Sequence, residues 1–338
     1  MNEELIKRAT LHDVASLSGV SYQTVSRVIN QHPHVAPRTR QKVLQAISQL
    51  DYRPNQAAKV LATGRSDMLQ LIMYDMRYGD PLPPMLGAAR ERGYTLLISE
   101  INPLAAKEEI HKALQDVANR MIDGLIVFTP YQFIPYEEMR EVCRDIPFVF
   151  VDTDPGFKAP SVIFDQRHGV ALAVEHLIGL GHRQIAEVHG PPLHSDARIR
   201  HESFLTALAA HGLEPGPIER GEFVISSGYN ATQHLLASDK PFSAIFVGND
   251  RMALGALRAL REHGLRVPED VSIVGYDDMA EAAYFMPPLT TVRQNLSTLA
   301  QQSIAYLVSM IQDRTMPIQQ RVLYPELIVR ASTGPLTA

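Results

Sequence analysis

The chain has 338 residues, 45% of them apolar and 20% charged, and carries a net charge of −5. That length exceeds one ordinary core and predicts two to three folding units, while the composition excludes disorder. The absence of any apolar run of about eighteen residues excludes a membrane span. A single cysteine, Cys143, leaves no intrachain disulfide and no cysteine-based metal cage, and reads as a packing residue. Glu3, Glu4, Lys7 and Arg8 crowd the start without an apolar segment, which argues against a secretory signal and predicts a cytoplasmic protein.

The total charge conceals an asymmetry. Residues 1–65 hold nine Lys and Arg against four acids, a net +5, which leaves −10 for the rest. A basic end attached to an acidic body suggests a polyanion as partner of that end, or a solvated basic face. Thr10 with Asp13 three residues on reads as a helix start, in which hydroxyl and carboxylate cap each other's backbone. Ser18-Gly19-Val20-Ser21 supplies a tight turn and a new cap, and Tyr22 to Asn30 follows as a second helix. Pro37 opens a third helix running to about Leu50. Val14, Val25, Ile29, Val43, Ile47 and Leu50 are candidates for the small core. Asn55 caps a short stretch from Gln56 to Ala62 that ends before Thr63-Gly64.

From about Met68 apolar runs alternate with amphipathic ones, the pattern of βαβ units and parallel sheets. Strands are predicted at Leu69 to Met73, Thr95 to Ile98, Gly124 to Phe128, Phe148 to Val151, Gln184 to Val188, Ala244 to Val247 and Ser272 to Val274. Leu296 to Gln312 is a helix, and Arg321 to Val329 returns as a strand to an earlier sheet.

On the second helix Tyr22, Gln23, Ser26 and Arg27 share one side, with Val25, Val28 and Ile29 on the other. Gln pairs in two-pronged fashion with adenine and Arg with guanine, the chemistry a major-groove helix needs. Ser21, Asn30, Thr39 and Arg40 are placed to hold phosphates. Any three-helix unit also shows a polar outer face, so the spacing alone leaves a structural role open. In the body, Asp152, Phe164, the run Asp196 to Arg200, Asn249-Asp250 and Asp277-Asp278 offer paired polar groups and Phe164 and Phe223 flat faces, as a sugar requires; taken singly, each reads first as a loop or helix cap.

The run Thr10 to Ala15 followed by Gly19 to Asn30 resembles the headpiece of the LacI/GalR repressor family, and the likeness continues through Pro54-Asn55, Glu175-His176-Leu177, Pro268 to Ser272, Gly275 to Asp278 and Pro288 to Val292. It implies an α/β protein with an N-terminal helix-turn-helix headpiece and a two-subdomain, periplasmic-binding-protein-like body with parallel sheets. The division expected is headpiece 1–54, hinge helix and linker 55–66, and an effector-binding and dimerisation domain 67–338. Its N-subdomain takes about 67–164 and 294–324, and its C-subdomain 165–293 and 325–338. The resemblance implies DNA contacts from Thr10, Ser21, Tyr22, Gln23, Ser26, Arg27, Asn30, His34, Thr39, Asn55 and Leu61, the reading helix suiting a lac-like half-site and Leu61 wedging into the minor groove. It implies effector contacts from Asp152, Phe164, Arg200, Phe223, Asn249 and Asp277. The sequence departs from the family at Pro33 and Ala36-Pro37, along Leu71 to Pro84, at Phe128 where a polar contact is usual, and at Asp196 where a serine-like residue is usual.

The expected protein is a repressor, a dimer on a palindromic operator, controlled by a small sugar-like effector acting as inducer, with no cofactor, no metal and no membrane partner. The lack of an appended leucine heptad points to a dimer over a tetramer. Two other readings stay open: a nucleobase-dependent, co-repressed regulator, since Arg200 and Asp277 also suit purine edges, and a stand-alone sugar-binding protein. No G-x-S-x-G elbow, P-loop or histidine pair at metal spacing speaks for an enzyme.

Overall fold

The computed structural model describes residues 9–29, 32–52, 60, 64–73, 81–100, 111–112, 114–116, 121–128 and 135–336. Asn30, Asn55 and Leu61, the expected hinge helix apart from Val60, and the departure at Tyr74 to Tyr78 lie outside them. The chain forms two compact units that divide between Ser66 and Asp67.

In the first unit the capping box forms: the Asp13 amide donates to the Thr10 hydroxyl at 3.3 Å, and the Thr10 amide donates to the Asp13 carboxylate at 2.8 Å. It starts α1 (Leu11–Ser18), which Gly19 ends in the left-handed region at φ 66°. The Thr24 amide donates to Ser21 Oγ at 3.2 Å, capping α2 (Tyr22–Ile29). Pro37 stands in the first turn of α3 (Pro37–Gln49), where its missing N–H costs no bond. Val14, Val25 and Val43 are buried at the centre, with Ile29, Ile47 and Leu50 half-buried against them. Ala15, Val28, Ala46 and Tyr52 complete this core. Tyr52, read from sequence only as part of a helix stop, folds back under α3.

The second unit contains two lobes, each built on a six-stranded sheet, as the alternating pattern predicts. The N-lobe sheet takes β1 (Met68–Met73), β2 (Thr95–Glu100), β3 (Gly124–Phe128), β4 (Phe148–Val151), β5 (Ser161–Phe164) and β11 (Gln320–Leu323), all parallel, in the order β11-β5-β4-β3-β1-β2. The helices α4 (Leu82–Glu91) and α5 (Tyr136–Cys143) belong to it, and Cys143 is buried, as expected of a packing residue. The C-lobe sheet takes β6 (Ile185–His189), β7 (Ile218–Arg220), β8 (Ala244–Val247), β9 (Ser272–Asp277), β10 (Thr290–Arg293) and β12 (Glu326–Ile328), in the order β12-β10-β9-β8-β6-β7. Its strands pair in parallel except β12, which runs antiparallel to β10. Its helices are α6 (Gln166–Gly179), α7 (Ser195–Ala210), α8 (Ile225–Ala237) and α9 (Asp250–Glu262). Apolar layers cover both faces of each sheet, which is why runs such as Phe148–Val151 and Ala244–Val247 are buried at every position.

The chain crosses between lobes three times: from β5 into α6, from β10 into α10 (Leu296–Gln312), and from β11 into β12. The helix α10 returns to the N-lobe, where Leu299, Ala300, Ile304, Tyr306, Leu307 and Ile311 pack against the strands. The stretch from Arg321 to Val329, expected as one strand, is instead two strands in two different sheets. Pro325 separates them, having no N–H to continue a ladder. The strands β5, β7 and β10 were not anticipated, and β9 runs on to Asp277. Among the described residues no helix is long and apolar enough to cross a membrane.

Candidate functional site

The first unit presents one polar helix face. With Val25 and Val28 buried, Tyr22, Gln23 and Arg27 on α2 are exposed and Ser26 is half-exposed. The His12 ring lies 5.1 Å from that of Tyr22, supporting it from α1. His34 is exposed beside His32, their rings 5.5 Å apart, while Arg40 Nη2 donates to the His32 carbonyl at 2.7 Å. Thr39 is half-exposed on α3. Thr10 and Ser21 are exposed too, but their hydroxyls already serve as caps, so any further partner shares them. A helix with an amide, a guanidinium and a phenol on its free side, fixed by an apolar underside, can offer donors and acceptors to base edges in a groove.

In the second unit the C-terminal ends of β4, β9 and β10 and the start of α7 bring charged side chains together. Arg200 on α7 is the hub, 5% exposed. Its Nε donates to Gln166 Oε1 at 3.0 Å, Nη1 to the Gly248 carbonyl at 2.6 Å, and Nη2 to Gln294 Oε1 at 3.4 Å. Nη2 also lies 3.3 Å from Asp277 Oδ1 and 3.6 Å from Asp196 Oδ2. The guanidinium rests on the Tyr276 ring, 3.8 Å from its centroid, and 6.0 Å from that of Phe223. Burial works against its charge, but Asp277 and Asp196, then Tyr276 and Asp152, more than offset it and raise its pKa.

Asp152 follows β4 on the N-lobe, half-exposed at its surface yet ringed by protein atoms. Its carboxyl is pushed up to about 7, first by burial and then by Asp196, against the pull of Arg200. Phe223 is buried, its ring 5.5 Å from that of His194, and its carbonyl accepts from Asn249 Nδ2 at 3.2 Å. Asn249 Oδ1 accepts from the Met252 amide at 2.9 Å, so the residue caps α9 as well as facing the cleft end of β8. Phe164 is buried in the N-lobe core at the end of β5. Asp152, Phe223, Asp277 and Asp278 hold left-handed φ values of 63°, 59°, 107° and 55°, conformations that non-glycine residues adopt at a cost and that cluster at functional sites.

Of the expected effector residues, the structure thus gathers Asp152, Arg200, Phe223, Asn249 and Asp277, with Phe164 one residue ahead of a lobe crossing. Gln166, Gln294 and the supporting Tyr276 were missed; a neutral amide beside a crossing carries no periodic signal. Asp277-Asp278 starts no α-helix. Asp278 instead pairs with Arg293 and Arg330, each at 2.6 Å. Asp250 is buried, accepting from the Thr291 hydroxyl at 2.6 Å and the Met279 amide at 2.8 Å, and so ties β10 and the strand-end turn to α9.

Residues 10–55 match the family described as bacterial regulatory proteins, lacI family, and residues 174–333 match the periplasmic binding protein-like domain. The chain is 34% identical to the lactose operon repressor of Escherichia coli (strain K12) over 97% of its own length and 91% of that protein's. It is 33% identical to the HTH-type transcriptional repressor PurR of Histophilus somni (strain 129Pt), over 97% of this chain and all of that one. It superposes on the lac repressor dimer bound to operator and the anti-inducer ONPF with a TM-score of 0.88 at 33% identity, covering 97% of this chain and 100% of the other.

Proposed function

This chain belongs to the lacI family of bacterial regulatory proteins, and from that premise we propose that it represses transcription as a dimer on a palindromic operator, under the control of a small sugar-like effector held between the lobes of its body. The observation that carries the DNA half is the free polar face of α2: Tyr22, Gln23 and Arg27 exposed over buried Val25 and Val28. Two such helices, one per subunit, read the two half-sites, while Thr39 and Arg40 hold phosphates and His34 makes a further operator contact. The Arg200 hub supports the effector half. A guanidinium and carboxylates from both lobes, beside Phe223, engage neighbouring hydroxyls and a sugar's apolar face together. The work takes place in the cytoplasm, where the operator is.

Because Asp152 stands on one lobe and Arg200, Asp196 and Asp277 on the other, a ligand between them binds one lobe arrangement better than another. Occupancy lowers operator affinity by that ratio, on the order of 1–3 kcal/mol of coupling. Fluorescence anisotropy on a labelled lac-like palindrome and a scrambled duplex, at two salt concentrations and with sugars or purine bases added, tests the whole reading. Tight, salt-sensitive binding to the palindrome that one sugar weakens is the expected result. Equal, weak binding to both duplexes would remove the operator assignment. Tightening by a purine base would replace the sugar with a nucleobase co-repressor, a reading to which the likeness to PurR lends weight.

A further inference from the structure

Among the described residues, the strand ends that face each other between the lobes offer a ligand more acceptors than donors. Arg200 spends its fork on Gln166, Gly248, Gln294, Asp277 and Asp196. Gln166, 2% exposed, keeps its Oε1 on Arg200, and its side-chain amide also bonds to the Asp152 carboxylate. Asp196 Oδ1 is buried without a hydrogen-bond partner, His194 Nδ1 standing 4.0 Å away. Three carboxylates, those of Asp152, Asp196 and Asp277, therefore surround one guanidinium. Asp152 comes from the N-lobe and the other two from the C-lobe, so like charges oppose each other across the gap.

A neutral polyol donates hydroxyl protons to these oxygens but brings no positive charge to a group in which, among the described residues, the carboxyls outnumber the one guanidinium. Asp196 creates that surplus, and the family resemblance places a serine-like residue at its position. Among the described residues no group of three His, Cys, Asp or Glu is disposed to hold a metal ion. Phe223, with His194 beside it, supplies an apolar wall for a ring. Building on the assignment of this cleft as the effector site, we propose that the effector is an amino sugar, a polyol bearing a protonated amine, whose ammonium group lies between Asp152 and Asp196 and ties the two lobes together. The ammonium brings three donors and one positive charge, while the remaining hydroxyls face Asp277, Asn249 and Arg200.

The test uses the full-length protein, with titration calorimetry and thermal unfolding against glucosamine, galactosamine and mannosamine. Their neutral parents, their N-acetylated forms, and magnesium and calcium chloride are run in parallel. At least one amine is expected to bind about tenfold or more tighter than both its parent and its N-acetyl form. Asp196→Asn and Asp196→Ser, each checked for a cooperative unfolding transition, are expected to erase that preference. A parent or N-acetyl sugar that binds as tightly as the amine and weakens operator binding overturns the amine while the effector cleft stands. Stabilisation by a divalent cation alone also overturns it. If no sugar of any charge changes either heat, unfolding or operator binding, the amine and the sugar-effector reading fall together.

Discussion

Within the C-lobe, burial and neighbouring charge pull histidines in opposite directions. Burial lowers His176, His182 and His189, whose rings bond to Thr333, to Ser243 and Ser272, and to the Gly190 carbonyl. His201 is raised, because its Nδ1 sits 2.6 Å from the fully buried Glu187 carboxylate. Linkage sets the sign of each contribution. A lowered histidine costs stability as pH falls below the ordinary value of 6.5, since the unfolded chain takes the proton more readily. A raised one contributes fully below 6.5 and loses that contribution as pH climbs through its folded value. Glu187 is itself raised by burial, a shift of the same sign, so it too favours the protonated, lower-pH side. The thermal midpoint is therefore expected to drop as pH rises above about 6.5, and Glu187→Gln to drop less over the same range. Parallel profiles for the two proteins would detach this pair from stability. At the same scale, the site residues differ in how far sequence reveals them. Arg200 and Asp277 stand out only through the family resemblance, since an arginine in a helix and an acid after a strand are ordinary. Gln166 and Gln294 carry no pattern, because what makes them matter is that both accept from Arg200, a meeting that only the fold brings about.

The helices α8 and α9 touch backbone to backbone. A Cβ on Gly255 would stand 2.1 Å from the Ile225 carbonyl oxygen and 2.6 Å from the Tyr229 amide, and one on Gly228 would stand 2.2 Å from the Met252 carbonyl oxygen. Neither neighbour is a side chain that can swing away. Gly255→Ala is expected to destabilise the protein by about 1–3 kcal/mol, read as a lower urea midpoint with unchanged slope. An unaltered midpoint would mean that the helix pair slides apart at little cost. This contact was invisible in the sequence, where a glycine inside a helical run reads only as a weak spot. The long apolar runs were legible because parallel strands buried on both faces leave continuous Leu, Ile, Val and Phe. The short strands Ile218–Arg220 and Thr290–Arg293 were not, since three or four residues ending in a charge show neither alternation nor a run. The headpiece was the most legible part, as its caps, turn glycine and reading face are all local features.

At the scale of the whole body, an ion pair spans the two lobes: Arg198 Nη2 on α7 lies 2.8 Å from Asp154 Oδ2, in the turn after β4. Arg198 also reaches Glu202 at 3.3 Å, and Gln320 Nε2 donates to the Asp154 carbonyl at 3.0 Å, so the pair is held at both ends. Both partners are partly exposed, which limits the worth of the pair to at most about 1 kcal/mol. Cutting it with Arg198→Ala frees the lobes from the arrangement described, and the effector concentration for half-release of operator is expected to fall by up to about fivefold. No change in that concentration, with operator affinity also unaltered, would make the bridge a bystander.

The triple crossing between the lobes also bears on how the protein is born. The N-lobe sheet waits for its edge strand Gln320–Leu323 and its packing helix Leu296–Gln312, and both emerge from the ribosome only after the entire run from α6 to β10. At translation speeds of about 5–20 residues per second, the first five strands spend on the order of ten seconds with one flank bare. Nascent chains are therefore exposed to mispairing and to chaperone capture for that interval, and neither lobe can be made as a single uninterrupted fragment.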